Sequence, residues 1–420
     1  MIFRSSKEIT NKSTRADGAI LRDHNVSLIL HLAWQAGEIS RIDLARESGL
    51  APSTVSKIVG NLIGAGVLRE ARVASSASGR PPIVLQYDDS VYKLLGIDLG
   101  ATHVSVALTN LRGRVLSWQT RTHDVQGDPE GALSLAVALT HAAIAEAGTS
   151  LSAVVGAGLG VPSPVDLADP DHLAERILPA WANVRPGAWL SRALGLSVAV
   201  ENDANLAALA EAWLGAGRGV GTLAYIKVGT GIGAGLIVNG TLLRGANGFA
   251  GEIGHTAIDS SGPPCACGLR GCLQSMVGSA TVLERTRALV RSGRVSSVMH
   301  QSPMTLTGVA MAAAEGDPVA IEVVEACGHH LGLAIANLFN LLNPSLVLLG
   351  GGLTAAGEQL LRPLREAISA RTLWASLTQA EVRISALGPQ ATALGAATLV
   401  LQAALADPRM FSRNQSTPPA

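Results

Sequence analysis

Residues 251–272 read Gly251-Glu252-Ile253-Gly254-His255-Thr256-Ala257-Ile258-Asp259-Ser260-Ser261-Gly262-Pro263-Pro264-Cys265-Ala266-Cys267-Gly268-Leu269-Arg270-Gly271-Cys272. One histidine and three of the four cysteines in the chain fall within eighteen positions here. Three thiolates and one imidazole fill a tetrahedral shell, the closed arrangement of a structural zinc site. Gly268 and Gly271 lie between the ligand positions, where tight turns need positive φ. Cys265 and Cys267 stand closer together than the paired cysteines of a zinc finger. His255, Cys265, Cys267 and Cys272 are therefore the expected ligands of one Zn²⁺, against the alternative of reduced, unligated cysteines in a loop. Cys327 is isolated on an Ala-rich helix and reads as a small buried apolar residue.

The bulk numbers bound the rest. A chain of 420 residues is long enough for two or three domains. A hydrophobic content of 48% excludes disorder as the general state. The 32 basic and 32 acidic residues cancel, so charge alone predicts no nucleic-acid partner and local pattern must decide. Arg4, Lys7, Glu8, Lys12 and Arg15 interrupt any N-terminal signal sequence. By this reading no stretch is long and apolar enough to span a membrane, and Leu346 to Leu349 is a short buried strand at most. Four cysteines do not make a secreted disulfide framework. The expectation is a cytoplasmic protein with no membrane partner.

Upstream of the cysteine stretch, the chain repeats itself. Ile97-Asp98-Leu99-Gly100 and its successors through Asn110 have the same pattern as Ile226-Lys227-Val228-Gly229 and its successors through Asn239. Each is an apolar strand, a Gly/Thr loop, a second apolar strand and a turn, which implies two related lobes. Two Gly-rich loops facing one cleft can hold a phosphate chain through backbone N–H groups. Between the repeats, periodicity predicts a helix near 131–147 and a strand over 154–161 closed by Pro162-Ser163-Pro164. Beyond them it predicts helices near 318–343, 356–370 and 391–405, a strand near 345–349, and a frayed tail over 407–420.

The first 90 residues have a different grain. Val26, Ile29, Leu30 and Ala33 mark a helix over about 24–35. Ser40 is placed as the N-cap of a second helix, with Ile42, Leu44 and Ala45 as its apolar side and Gly49 as its end. Pro52 opens a third, with Val55, Ile58, Val59 and Leu62 inward. Two short strands around a Ser-rich loop follow. This order, with Asp43-Leu44-Ala45, Ser48-Gly49-Leu50 and Thr54-Val55-Ser56-Lys57, resembles a winged helix-turn-helix. The outward residues Ser53, Thr54, Ser56 and Lys57 are short or basic, as base edges and phosphates require. Arg80, between Gly79 and Pro81-Pro82 on the wing, suits a narrow minor groove.

Several strings after residue 90 resemble, in order, the signatures of the ROK family (repressor, open reading frame, kinase). Gly251 to His255 with Cys265 to Cys272 is similar to its cysteine signature. Glu201-Asn202-Asp203-Ala204-Asn205 matches its catalytic-loop motif, with the alternative that Asp203 merely caps the helix beginning near Ala204. Asp98-Leu99-Gly100-Ala101-Thr102 and Gly229-Thr230-Gly231-Ile232-Gly233 resemble its phosphate loops. Asn343-Pro344 and Gly350-Gly351-Gly352 resemble the segment beside its nucleotide-base site. The resemblance implies an α/β fold over about 91–406 with the two-lobed actin/hexokinase-like architecture, preceded by the winged helix-turn-helix domain.

The resemblance also implies roles. Asp203 would be the base that deprotonates a sugar hydroxyl in a kinase, and Asn202 would orient that sugar. Glu252, His255 and Gln274 would read other hydroxyls. Asp98, Gly100, Thr102, Gly229, Thr230, Gly231, Gly233, Gly350 and Gly351 would hold ATP and Mg²⁺ if kinase activity is kept. Ala101 stands where family kinases usually have glycine, His103 where they often have lysine, Gln274 where the family has glutamate, and Ile177 where asparagine is common; Pro179 and Trp181 fit. With the N-terminal domain, the leading expectation is a sugar-responsive regulator of carbohydrate-metabolism genes, a repressor that binds operator DNA as a homodimer or homotetramer. The alternative is an ATP-dependent sugar kinase with a regulatory head.

Overall fold

Ser40 fixes the geometry of the head. Its side-chain oxygen accepts from the backbone N–H of Asp43 at 3.1 Å and starts a short helix that Gly49 ends. The computed structural model describes residues 6–72, 83–372 and 381–411. In the head these form α1 (Ser6–Ala36), β1 (Glu38–Ile39), α2 (Arg41–Ser48), α3 (Pro52–Gly64), β2 (Leu68–Arg72) and β3 (Ile83–Tyr87). The strands pair in the order β1-β3-β2. Val55, Ile58, Val59 and Leu62 of α3 are buried as their spacing requires. Ile42 is not: it is 79% exposed. Ile42 and Leu44 are two positions apart, roughly 200° around a helix, so they cannot share a face, and Leu44 takes the core. β2 and β3 bracket residues 73–82, so Arg80 and its Gly79-Pro81-Pro82 setting lie outside the described residues.

The first lobe comprises β4 (Lys93–Gly100), β5 (His103–Asn110), β6 (Val115–Thr122), α4 (Pro129–Glu146), β7 (Val154–Val161), α5 (Pro186–Leu194) and β8 (Val198–Asn202). Its sheet runs β6-β5-β4-β7-β8, antiparallel across the first three strands and parallel from β4 through β7 to β8. From β8 the chain turns directly into α6 (Asp203–Trp213). The second lobe comprises β9 (Leu223–Val228), β10 (Ile232–Val238), β11 (Thr241–Leu242), α7 (Leu273–Val277), α8 (Ser279–Arg291), α9 (Leu306–Ala314), α10 (Pro318–Leu342), β12 (Leu346–Gly350), α11 (Glu358–Arg371) and β13 (Glu381–Ile384), and α12 (Ala391–Ala406) closes the fold. Its sheet runs β11-β10-β9-β12-β13. In chain order within each lobe, both sheets read third, second, first, fourth, fifth. The repeat in the sequence is thus a repeat of topology.

α6 and α12 pack between the two sheets. A Cβ built on Gly235 of β10 would fall 2.2 Å from the carbonyl oxygen of Ala204, so only glycine lets α6 lie this close to the second sheet. β4 and β7 are buried along their whole length, because a sheet covered on both faces has no wet side. The segments Pro318–Leu342 and Gly388–Ala406 are, by length and composition, apolar enough to cross a bilayer, contrary to the expectation from sequence. Their apolar residues are largely buried in the core instead. The expected tail over 407–420 is folded at its start, and residues 412–420 lie outside the described residues. Pro408–Phe411 forms a helical turn, and Phe411 is buried against Tyr92 with ring centroids 5.1 Å apart.

Candidate functional site

The cysteine stretch folds back on itself through isolated bridges between Ala257 and Cys272 and between Pro264 and Arg270. Gly268 (φ 92°) and Gly271 (φ 68°) make the left-handed turns that bring the ligands round. The ligand atoms of His255, Cys265, Cys267 and Cys272 all lie within 4.8 Å of one another. Cys265 Sγ is 3.7 Å from His255 Nδ1, and Cys267 Sγ is 3.7 Å from Cys272 Sγ. A tetrahedron with metal–sulfur bonds of about 2.3 Å has edges of roughly 3.7 Å, so the four can hold a metal ion. Burial holds the His255 pKa below the ordinary histidine value and favours the neutral imidazole that a metal needs. Nδ1 faces the cysteines, which leaves Nε2 for another partner.

The cleft is built around the junction of β8 and α6. Asn202 is the N-cap: its Oδ1 accepts from the N–H groups of Ala204 (3.0 Å) and Asn205 (3.1 Å), and its Nδ2 donates to Ser163 O (3.1 Å). The capping role weighed for Asp203 therefore belongs to Asn202, and most of its amide is engaged by its own fold. Glu201 holds the junction from behind, accepting from Asn205 Nδ2 at 3.0 Å and pairing with Arg244 Nε at 2.7 Å. Asp203 is buried, and its Oδ2 accepts from Lys227 Nζ at 2.6 Å. Burial opposes the charge on Lys227, but the carboxylates of Asp203 and Asp98 outweigh it and hold the ammonium above its ordinary pKa. Asp98 is buried, its Oδ2 lies 3.2 Å from His103 Nε2, and its Oδ1 has no hydrogen-bond partner among the described residues. Burial, and then the charge of Asp203, pushes the Glu252 carboxyl up to about 7.

Asp98, Asp203, Lys227 and Glu252 thus share one electrostatic neighbourhood. In the sequence Lys227 is the counterpart of Asp98 in the repeat, and the structure adds its role as the partner of Asp203. The signal was a charged residue at the end of an otherwise apolar strand.

Gln274, on α7, packs against the glycine loop of the second lobe. Its Oε1 accepts from Ile232 N at 2.6 Å and its Nε2 donates to Thr230 O at 3.2 Å, so its amide braces residues 229–232. Within that loop Gly229 N donates to Gly231 O at 3.0 Å. Gly233 lies in β10 opposite Lys227, and Gly350 at the end of β12 pairs with Lys227 from the other side, with Gly351 next to it. Gly100 and Thr102 lie at the turn between β4 and β5, where Thr102 O accepts from His123 N at 3.1 Å.

On α3, Ser53, Ser56 and Lys57 are exposed and Thr54 is half-buried. Asn61 is exposed too, at a spacing that puts it on the same face two turns beyond Ser53, and a polar residue so far along the helix carries no sequence signal of its own. The head joins the body through aromatic contacts. The Trp34 ring of α1 lies 4.7 Å, centroid to centroid, from that of Trp213 at the end of α6, and His31 meets Trp213 edge-on at 5.9 Å. Trp34 Nε1 donates to Leu111 O at 2.9 Å, and Arg112 lies 5.2 Å from the Trp34 ring centre.

Two family profiles match the chain. The ROK family matches residues 94–403, and winged helix-turn-helix DNA-binding matches residues 22–69. The chain belongs to the ROK family. The xylose repressor of Caldicellulosiruptor bescii is 32% identical to this ROK protein over 392 residues, 93% of this chain and 98% of the relative. The glucokinase of Halalkalibacterium halodurans is 34% identical over 314 residues, 73% of this chain and 94% of the relative. A crystal structure of a ROK family transcriptional regulator, a homologue of the Escherichia coli Mlc protein, superposes with a TM-score of 0.79 at 30% identity, covering 94% of this chain and all of that one. The repressor and the regulator match over head and body together. The kinase match spans a shorter part of this ROK protein.

Proposed function

We propose that this ROK protein is a sugar-responsive transcriptional repressor that acts on operator DNA in the cytoplasm as a homodimer or homotetramer. The observation that carries the reading is the course of α6. Its N-terminus is Asn202-Asp203, in the cleft where a sugar would be read, and its C-terminal Trp213 packs on Trp34 and His31 of the head. A ligand that prefers one closure of the lobes would shift α6 and, through Trp213, the head. Full-length similarity to a xylose repressor supports the same reading. Asp203, Glu252 and His255 Nε2 are the groups proposed to take sugar hydroxyls, with the remaining Asn202 amide hydrogen beside them. Ser53, Thr54, Ser56 and Lys57 are proposed to meet DNA, with Arg80 as the wing contact.

The ion in the Cys/His cluster is proposed to be Zn²⁺, since three thiolates and an imidazole suit that metal. It would hold the His255 ring so that Nε2 keeps its direction.

The test uses promoter DNA beside the protein's own gene, titrated with and without a panel of sugars. Wild type should bind the DNA specifically at moderate salt, and one sugar should weaken that binding about tenfold, a coupling within the usual range. Trp34→Ala should still bind that sugar but lose most of the response. Absence of specific DNA binding by wild type overturns the reading.

A further inference from the structure

Asp98 and Lys227 occupy equivalent places in the two lobes. Each is two residues before a glycine at the end of the first strand of its repeat: Gly100 is the last residue of β4, and Gly229 directly follows β9. The repeat therefore brings an acid and a base to one cleft by the same strand geometry. Two buried carboxylates, Asp98 and Asp203, converge there, and such a pair needs a counter-cation. In phosphoryl-transfer enzymes that cation is a divalent metal, which bridges the phosphates to the protein. Here the Lys227 ammonium is bonded to Asp203 Oδ2 at 2.6 Å, and the two carboxylates are the charges that stabilise it. One oxygen of Asp98 is left buried and without a partner among the described residues. Mg²⁺ would have to compete for this position: the Lys227 ammonium already holds Asp203 Oδ2 and neutralises one of the two carboxylates that would take the metal.

We propose that Lys227 is the resident cation of the cleft, which takes the place of a divalent metal and so determines that the site binds a sugar without phosphorylating it. Lys227 is a specificity-determining residue, and the inference rests on the reading of the cleft as a sugar site. Asp203, bonded to an ammonium, remains an acceptor for a sugar hydroxyl. It lacks the metal-bound nucleotide that would receive the attacking oxygen. The strand-end lysine thus supplies the positive charge of the cleft without the metal that phosphoryl transfer uses.

The experiment measures Mn²⁺ binding by electron paramagnetic resonance on the full chain, together with ADP release from ATP, Mg²⁺ and the sugar panel. Wild type should show no Mn²⁺ bound at micromolar affinity and no ADP release above background. Lys227→Met, close in length and without charge, should bind Mn²⁺ at least tenfold more tightly than wild type. Lys227→Thr serves as a second variant if the methionine form does not fold, and circular dichroism checks both. Asp98→Asn added to the binding variant should abolish the gain. Mn²⁺ binding or ATP turnover by wild type overturns the inference, as does a folded Lys227 variant with no gain. Loss of DNA binding by wild type would instead overturn the repressor reading and leave the metal result standing on its own.

Discussion

The two lobes share a sheet order and differ in what the shared positions carry. At the end of the first strand, one lobe presents Asp98 and the other Lys227. At the loop that follows, the first lobe sets His103 against Asp98, while the second braces its glycine loop with the Gln274 amide. Only the second lobe has the Cys/His cluster among the described residues. Backbone topology was thus retained in both halves while their charge and cross-linking diverged. A duplicated scaffold fixes where side chains stand, and the chemistry is decided separately at each place.

The largest expected effect breaks the symmetry outright. Cys265→Ser, or a chelator, removes one ligand or the metal from the second lobe and should lower stability by about 3 kcal/mol or more, because metal binding is coupled to folding. At roughly 2–4 °C per kcal/mol for a lobe of this size, the melting temperature should fall by about 6–12 °C. Hydrogen exchange should show residues 251–278 losing protection while β4 and β7 keep theirs. Equal loss in both lobes would mean that the cluster staples the whole molecule, and an unchanged, metal-free protein would remove the site altogether.

A second comparison sets the carboxylates against each other. Asp203→Asn replaces a charged acceptor with a neutral one, and hydrogen bonds to charged groups contribute about 1.5–3 kcal/mol. Sugar affinity by calorimetry should fall about 10- to 100-fold. Asp98→Asn should change sugar affinity less than about threefold, because Asp98 is placed to serve the cation and His103, not the sugar. Equal losses would make the cleft symmetric in function as well as in fold.

Much of this was legible from pattern. The repeat in residues 97–110 and 226–239 shows because strands keep their period whatever they bind. α3 shows because Pro52, Val55, Ile58, Val59 and Leu62 state both its start and its buried face. The cysteine cluster shows because its ligands are close in sequence. Partners distant in sequence left no such trace. Lys227 reaches Asp203 across 24 residues, and Gln274 reaches Ile232 across 42, so neither pairing has a local signature. Phe411 looked like tail because its partner, Tyr92, lies 319 residues upstream. The division of labour at residues 202 and 203 is illegible for another reason: asparagine and aspartate are nearly equal as caps, so the pattern cannot say which one turns inward.

The smallest expected effect concerns protons. Glu252, beside the second lobe's cluster, has its carboxyl pushed up to about 7 by burial and by the charge of Asp203. Its unfolded value is close to 4.5, so the native state binds the proton more tightly than the unfolded chain. That contribution to stability is fully present below about 4.5 and is lost as the pH rises through about 7. Wild type should therefore lose stability between pH 6 and 8, on the order of 1 kcal/mol after solvent screening. Glu252→Gln keeps the shape and removes the proton, so its melting temperature should be flatter over the same range. A variant with the slope of wild type would place the titrating group elsewhere, and the asymmetry between the lobes would then rest on Lys227 and the cysteine cluster alone.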